Sequence, residues 1–154
     1  MKKYIPLVFL LTLILLFSGN TIAEENVLNL NENNNEMMVG FDQPSVGWAQ
    51  YNDSGLLTGY RGINLFVGYS AKNYMNPGIK NEDFNTFWGW GTYGLINPYV
   101  ELGADYPFAV EESSGNYWSV GGSIGAFAPL VSIEEVNFDY PVFPTAQISV
   151  SYRF

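Results

Sequence analysis

The chain has 154 residues, 47% of them apolar and 17% aromatic, and six basic side chains against fifteen acidic ones give a formal net charge of −9. That acidic balance argues against nucleic acid and anionic surfaces as partners. With no histidine and no cysteine, the chain cannot build a Ser-His-Asp triad, a Cys-His pair, a disulfide, or a zinc or haem site on imidazole or thiolate, and no cofactor is expected.

Lys2 and Lys3 give a positive start, and Ile5 to Phe17 is an apolar run without charge. The run is short for a membrane-spanning helix and right for a signal-peptide core. Thr21-Ile-Ala23 offers small residues at the positions a signal peptidase reads, so residues 1–23 are expected to be removed during export. Residues 24–36 are dominated by Asn and Glu and have too little apolar surface to bury, which reads as a flexible polar leader. The remaining 37–154 are enough for one domain, and no second stretch approaches the length of a transmembrane helix.

From Met37 the pattern is one of short alternating runs. Met37–Phe41 and Val46–Tyr51 flank Asp42-Gln-Pro-Ser45, which has turn chemistry. Tyr60–Lys72 reads as one strand, with Ile63, Leu65, Val67, Tyr69 and Ala71 on one face and Phe66 as an exception on the other. Asn73–Asp83 reads as a loop. Phe84–Ile96 sets Trp88 and Trp90 against Gly89 and Gly91, and Asn97-Pro98 is expected to form a tight turn. Tyr99–Phe108 opposes Val100, Leu102 and Ala104 to Glu101, Gly103 and Asp105. Tyr117–Ala128 opposes Trp118, Val120 and Ile124 to Ser119, Gly121 and Ser123. Leu130–Tyr140 is less regular, and a bulge at Glu134-Glu135 would restore its phase. The last run, Thr145–Phe154, is strictly two-periodic: Ala146, Ile148, Val150, Tyr152 and Phe154 face one way, and Gln147, Ser149, Ser151 and Arg153 the other.

These runs put bulk, much of it aromatic, on one face and Gly, Ser and isolated charges on the other. In a small barrel that division suits lipid outside and a crowded polar interior. The expected fold is therefore all-β: a single antiparallel up-and-down transmembrane β-barrel of eight strands. A soluble barrel carrying a hydrophobic ligand would invert the pattern and need more outward Lys and Glu.

Three stretches resemble a known family, the eight-stranded OmpA-type membrane domain of bacterial outer-membrane proteins. The terminal strand ending in Tyr152-Arg-Phe154 is similar to the closing strand of such barrels. Tyr93-Gly-Leu-Ile-Asn-Pro-Tyr-Val-Glu-Leu-Gly-Ala-Asp-Tyr106 resembles their second-to-third-strand hairpin, and Val46–Gly55 resembles the end of their first strand. The resemblance implies residence in the bacterial outer membrane, with outer-membrane lipid and the barrel-assembly machinery as partners. It makes Ile148, Val150, Tyr152 and Phe154 a lipid-facing assembly signal, and it puts the Asn97-Pro98 turn on the periplasmic side. Counting strands back from the terminus instead makes Val46–Tyr51 a descending second strand, where the family has an ascending first one.

Parity turns Glu101, Asp105, Lys72 and Arg153 inward, where a charge must find a partner or shift its pKa. The expected lumen network has Glu101 paired with Arg153 or Lys72, as a plug; the alternative is that each charge is solvated near a rim. The paired carboxylates are read as non-catalytic, and Asn76, Asn81, Glu82 and Asp83 lack the regular spacing of a Ca²⁺ loop. The expected function is structural or surface-interacting, with no enzyme activity and no metal. A soluble hydrophobic-ligand carrier or a narrow channel is the alternative, and the surface ligand is unknown.

Overall fold

The computed structural model describes residues 37–111, 113–129 and 142–154. The expected signal peptide, the leader and the run Leu130–Tyr140 lie outside the described residues. Eight strands follow in order: β1 (Met37–Phe41), β2 (Val46–Tyr51), β3 (Leu57–Ile63), β4 (Tyr69–Tyr74), β5 (Asn85–Tyr93), β6 (Asn97–Phe108), β7 (Tyr117–Phe127) and β8 (Phe143–Arg153). Each pairs antiparallel with the next, and β8 pairs with β1 to close an up-and-down barrel. The Met37 N–H donates to the Phe154 carbonyl at 2.9 Å and the Phe154 N–H donates to the Met37 carbonyl at 3.0 Å. Both chain ends of the barrel are thereby joined at one rim, called here the terminal end.

The register fixes how far the strands lean. Starting at Phe143, paired residues lead through Phe127, Tyr99 and Gly91, then Ser70, Gly62, Gly47 and Met38, and return to β8 at Arg153. The walk closes ten residues further along the strand where it began. A stagger of that size in eight strands tilts them by roughly 40° and leaves an interior that side chains alone can fill.

The two faces sort as the alternation requires. Trp48, Trp88, Trp90, Val100, Trp118 and Ile148 are exposed on the outside, whereas Tyr60, Lys72, Glu101, Asp105, Ser119 and Arg153 are buried inside. Small residues make room for the large interior ones. A Cβ on Gly103 would come within 2.6 Å of the Phe87 ring, and one on Gly89 within 2.5 Å of a Glu101 carboxylate oxygen, so neither position has space for one.

Three readings of the chain are corrected. Tyr60–Lys72 is not one strand but the hairpin of β3 and β4, turned over residues 64–68. Asn64 makes that turn: its Oδ1 accepts from the N–H groups of Phe66 and Gly68, both at 3.0 Å, and its Nδ2 donates to Ser70 Oγ and the Thr92 carbonyl. An Asn that caps its own turn competes with the strand ladder, and here it wins. Asn97-Pro98 is likewise not a turn. The chain reverses at Gly94-Leu95-Ile96, with Gly94 and Leu95 in left-handed conformations, and Asn97 and Pro98 open β6 opposite Tyr93 and Thr92. Because the β3–β4 hairpin adds a reversal, this turn joins the fifth and sixth strands at the end of the barrel away from the termini. The resemblance had placed it between the second and third strands at the terminal end. Val46–Tyr51 is the second strand and runs toward the terminal end, as the count required and the resemblance did not.

Candidate functional site

The interior is organised around Asp105 of β6. Its parity and the narrow lumen aim it across the barrel at β4 and β8, from which Lys72 and Arg153 reach back. Arg153 Nη2 donates to Asp105 Oδ2 at 2.8 Å, Lys72 Nζ lies 3.2 Å from the same oxygen, and the Tyr74 hydroxyl donates to it at 2.7 Å. Lys72 Nζ also donates to both carboxylate oxygens of Asp42 at 2.7 Å. Arg153 Nη2 stands 3.9 Å from Asp42 Oδ2. Two cations and two carboxylates are thus enclosed together, with Lys72 and Arg153 fully buried and Asp42 and Asp105 at 4% and 1% exposure. Their formal charges cancel, which is the condition for holding ions out of water.

Aromatic rings complete the enclosure. Lys72 Nζ sits 4.0 Å from the centroid of Phe87, and the Arg153 guanidinium lies 4.7 Å from that of Tyr60. Arg153 Nη1 donates to the hydroxyls of Tyr74 and Tyr117. Rings at these distances return part of the stabilisation that water would have given a cation. Met38, Leu57 and Ile79 fill the space toward the terminal end.

The structure brings Lys72, Asp105 and Arg153 together, and none of the three is a rim residue solvated by water. Glu101 does not join them. Its Oε2 accepts from Ser123 Oγ at 2.6 Å, its Oε1 has no partner, and it forms no ion pair with Lys72 or Arg153. The expected Glu101 pairing is therefore corrected: Asp105, four residues nearer the terminal end along β6, lies level with the cations, and Glu101 does not. Asp42 was missed because its turn reads as an ordinary surface reversal. The available signal was the shortness of the flanking strands, which forces a four-residue connection to fold over the barrel mouth and inward. Asp42, Gln43, Pro44 and Ser45 are all buried.

Between this cluster and the far end lies a second polar layer that contains no ion pair among the described residues. The Tyr99 hydroxyl donates to Ser70 Oγ at 2.7 Å, and Gln43 Nε2 donates to Tyr93 Oη at 2.9 Å and to Gln147 Oε1 at 2.7 Å. The four residues of the expected assembly signal lie along β8 and the residue after it. Ile148, Val150 and Phe154 are exposed on the outer face, and Tyr152 is half-buried, tilted against Trp118 and stacked on Phe154. Among the described residues one outward charge breaks the apolar belt: Arg61 on β3, whose Nη2 donates to Asn73 Oδ1 at 2.6 Å. Its Nη1 also donates to the Tyr60 and Lys72 carbonyls, both at 3.2 Å, so the guanidinium lies folded back against the barrel wall. Among the described residues no group of three or more acidic side chains could hold a metal ion.

The chain matches no protein-family model, no curated protein and no solved structure.

Proposed function

We propose that this chain is an outer-membrane β-barrel of the OmpA-type class, exported by its N-terminal segment and folded by the barrel-assembly machinery. In this reading its role is structural or surface-interacting, without catalysis, and its lumen is closed to solutes by the Asp42–Lys72–Asp105–Arg153 cluster. One observation carries the reading: the faces are inverted relative to a soluble barrel. Trp48, Trp88, Trp90, Trp118 and Ile148 are exposed while Lys72 and Arg153 are fully buried. A water-soluble protein rarely exposes so continuous an apolar surface, whereas a lipid-facing wall requires one. The strands β5 to β8 have 9, 12, 11 and 11 residues, long enough for a tilted crossing. The interior offers charged and tyrosine side chains where a carrier of hydrophobic ligands would offer an apolar cavity.

The test is fractionation of cells that make the full chain. The protein should stay with outer membranes through carbonate and urea washes and should migrate differently on gels before and after boiling. Recovery in the soluble periplasmic fraction would overturn the reading, and steady single-channel conductance in planar bilayers would overturn its closed lumen.

A further inference from the structure

Over the described residues the wall of the barrel is incomplete on one side. β1 ends at Phe41, opposite Val150, whereas β8 continues to Phe143. Among the described residues, the flank of β8 from Thr145 to Ile148 has no strand beside it. The gap opens a recess of about 550 Å³ that reaches from the outer face into the second polar layer, a size usual for small-molecule sites. Its lip is apolar, with Phe41 71% and Ile148 82% exposed, and Leu65 and Phe66 exposed beside them, Phe66 set edge-on against Tyr93. Its floor is polar, made by Gln43, Tyr93, Thr145 and Gln147.

Gln43 decides the chemistry. It is 3% exposed, it spends its Nε2 on both Tyr93 and Gln147, and its Oε1 is left without a donor. A buried acceptor without a partner is costly, so the floor lacks one N–H or O–H group. The nearest ionised side chain in the recess is the Asp42 carboxylate, and both interior cations are held by the cluster beneath. An anionic head group would find no cation and one like charge, whereas a neutral hydroxyl would satisfy Gln43.

We propose that this recess binds a neutral, hydroxyl-bearing amphipath with a single alkyl chain. The chain lies on Phe41, Leu65, Phe66 and Ile148, and the hydroxyl head enters beneath to donate to Gln43 Oε1. The site rests on the shape of the recess and stands whether lipid or water meets the outer face.

The test uses the full chain folded in zwitterionic micelles, with monolauroylglycerol as the neutral probe and laurate as an anionic probe of equal chain length. Side-chain amide resonances of Gln43 and Gln147 are followed by NMR. Monolauroylglycerol should shift them to saturation at one molecule per barrel, and laurate should bind at least about tenfold more weakly. Gln43→Met should weaken the neutral probe by about five- to tenfold through the lost acceptor, and Phe66→Ala by a similar factor through lost apolar contact. With Gln43→Met the binding is followed on Gln147. Absence of saturation, equal binding of laurate, or parental affinity in both variants would overturn the site. Should Gln43→Met fail to fold, as read by near-ultraviolet circular dichroism, the lip variant Phe66→Ala decides alone, and unchanged affinity there overturns the proposal.

Discussion

Replacing Asp105 by Asn removes one negative charge from a neutral enclosure and leaves it with a net positive charge. The one carboxylate left to both cations is then Asp42, 3.9 Å from Arg153 and 2.7 Å from Lys72, beside the tyrosine hydroxyls on Arg153 and the ring faces of Tyr60 and Phe87. Removing one partner of a buried ion pair costs about 3–5 kcal/mol, because the stranded charge cannot return to water. Lys72 and Arg153 are both fully buried, so the upper half of that range is expected. It corresponds to about three orders of magnitude in the folding equilibrium. The assay is reversible urea unfolding of the barrel in lipid vesicles, followed by tryptophan fluorescence, with the midpoint falling in step. Pairing Asp105→Asn with Lys72→Met restores charge balance, and the double variant should recover at least half of the loss. The reasoning is refuted if Asp105→Asn unfolds at the parental urea concentration, or if adding Lys72→Met lowers the midpoint further by its full single-variant effect.

Glu101→Gln should behave otherwise: it loses one hydrogen bond from Ser123 and no ion pair, so the same titration should register a change of about 1 kcal/mol or less. Gly103→Ala drives a methyl to within 2.6 Å of Phe87 and 2.4 Å of the Gly122 carbonyl, and it should cost about 1–3 kcal/mol by overpacking. Gly122→Ala, whose nearest neighbour is the Gln147 carbonyl at 3.2 Å, should cost visibly less in a side-by-side melt. Deleting Phe154 removes the paired hydrogen bonds to Met37 and the stack on Tyr152. Folded barrel recovered from membranes should fall well below that of a Val142 deletion, and equal recovery would count against an assembly role for the terminal aromatic.

The alternation of β5 to β8 was legible because each strand is long enough to show several periods and its two faces meet different surroundings. Trp88 against Gly89 and Ile148 against Ser149 announce which side is which. In the first half the strands have five to seven residues, too few for a period to outweigh one turn-forming side chain. So Asn64 could divide what the apolar alternation of Ile63, Leu65, Val67 and Tyr69 presented as continuous. Taking the β3–β4 hairpin as one strand lowers the count by one, and the run Leu130–Tyr140 lies outside the described residues. The inward direction of Lys72, Asp105 and Arg153 follows from parity alone. Which carboxylate meets which cation does not, since it depends on the stagger between strands that are not neighbours in the sheet. That stagger is a property of the whole closed register, and it sets Asp105 level with Arg153 while leaving Glu101 beside Ser123.

The unequal strand lengths have a mechanical consequence for any bilayer that meets this belt. Twelve residues of β6 rise about 30 Å along the barrel axis at a tilt of roughly 40°, whereas the five of β1 rise about 13 Å. Hydrocarbon of uniform thickness fits the tall side and overhangs the short one. The mismatch is relieved if the leaflet dips toward Phe41 or the whole barrel leans to that side, each at a cost of a fraction of a kcal/mol per ångström. The molecule would therefore carry its own local thinning of the membrane, always on the β1–β2 flank, and neighbours with short hydrophobic spans would collect there.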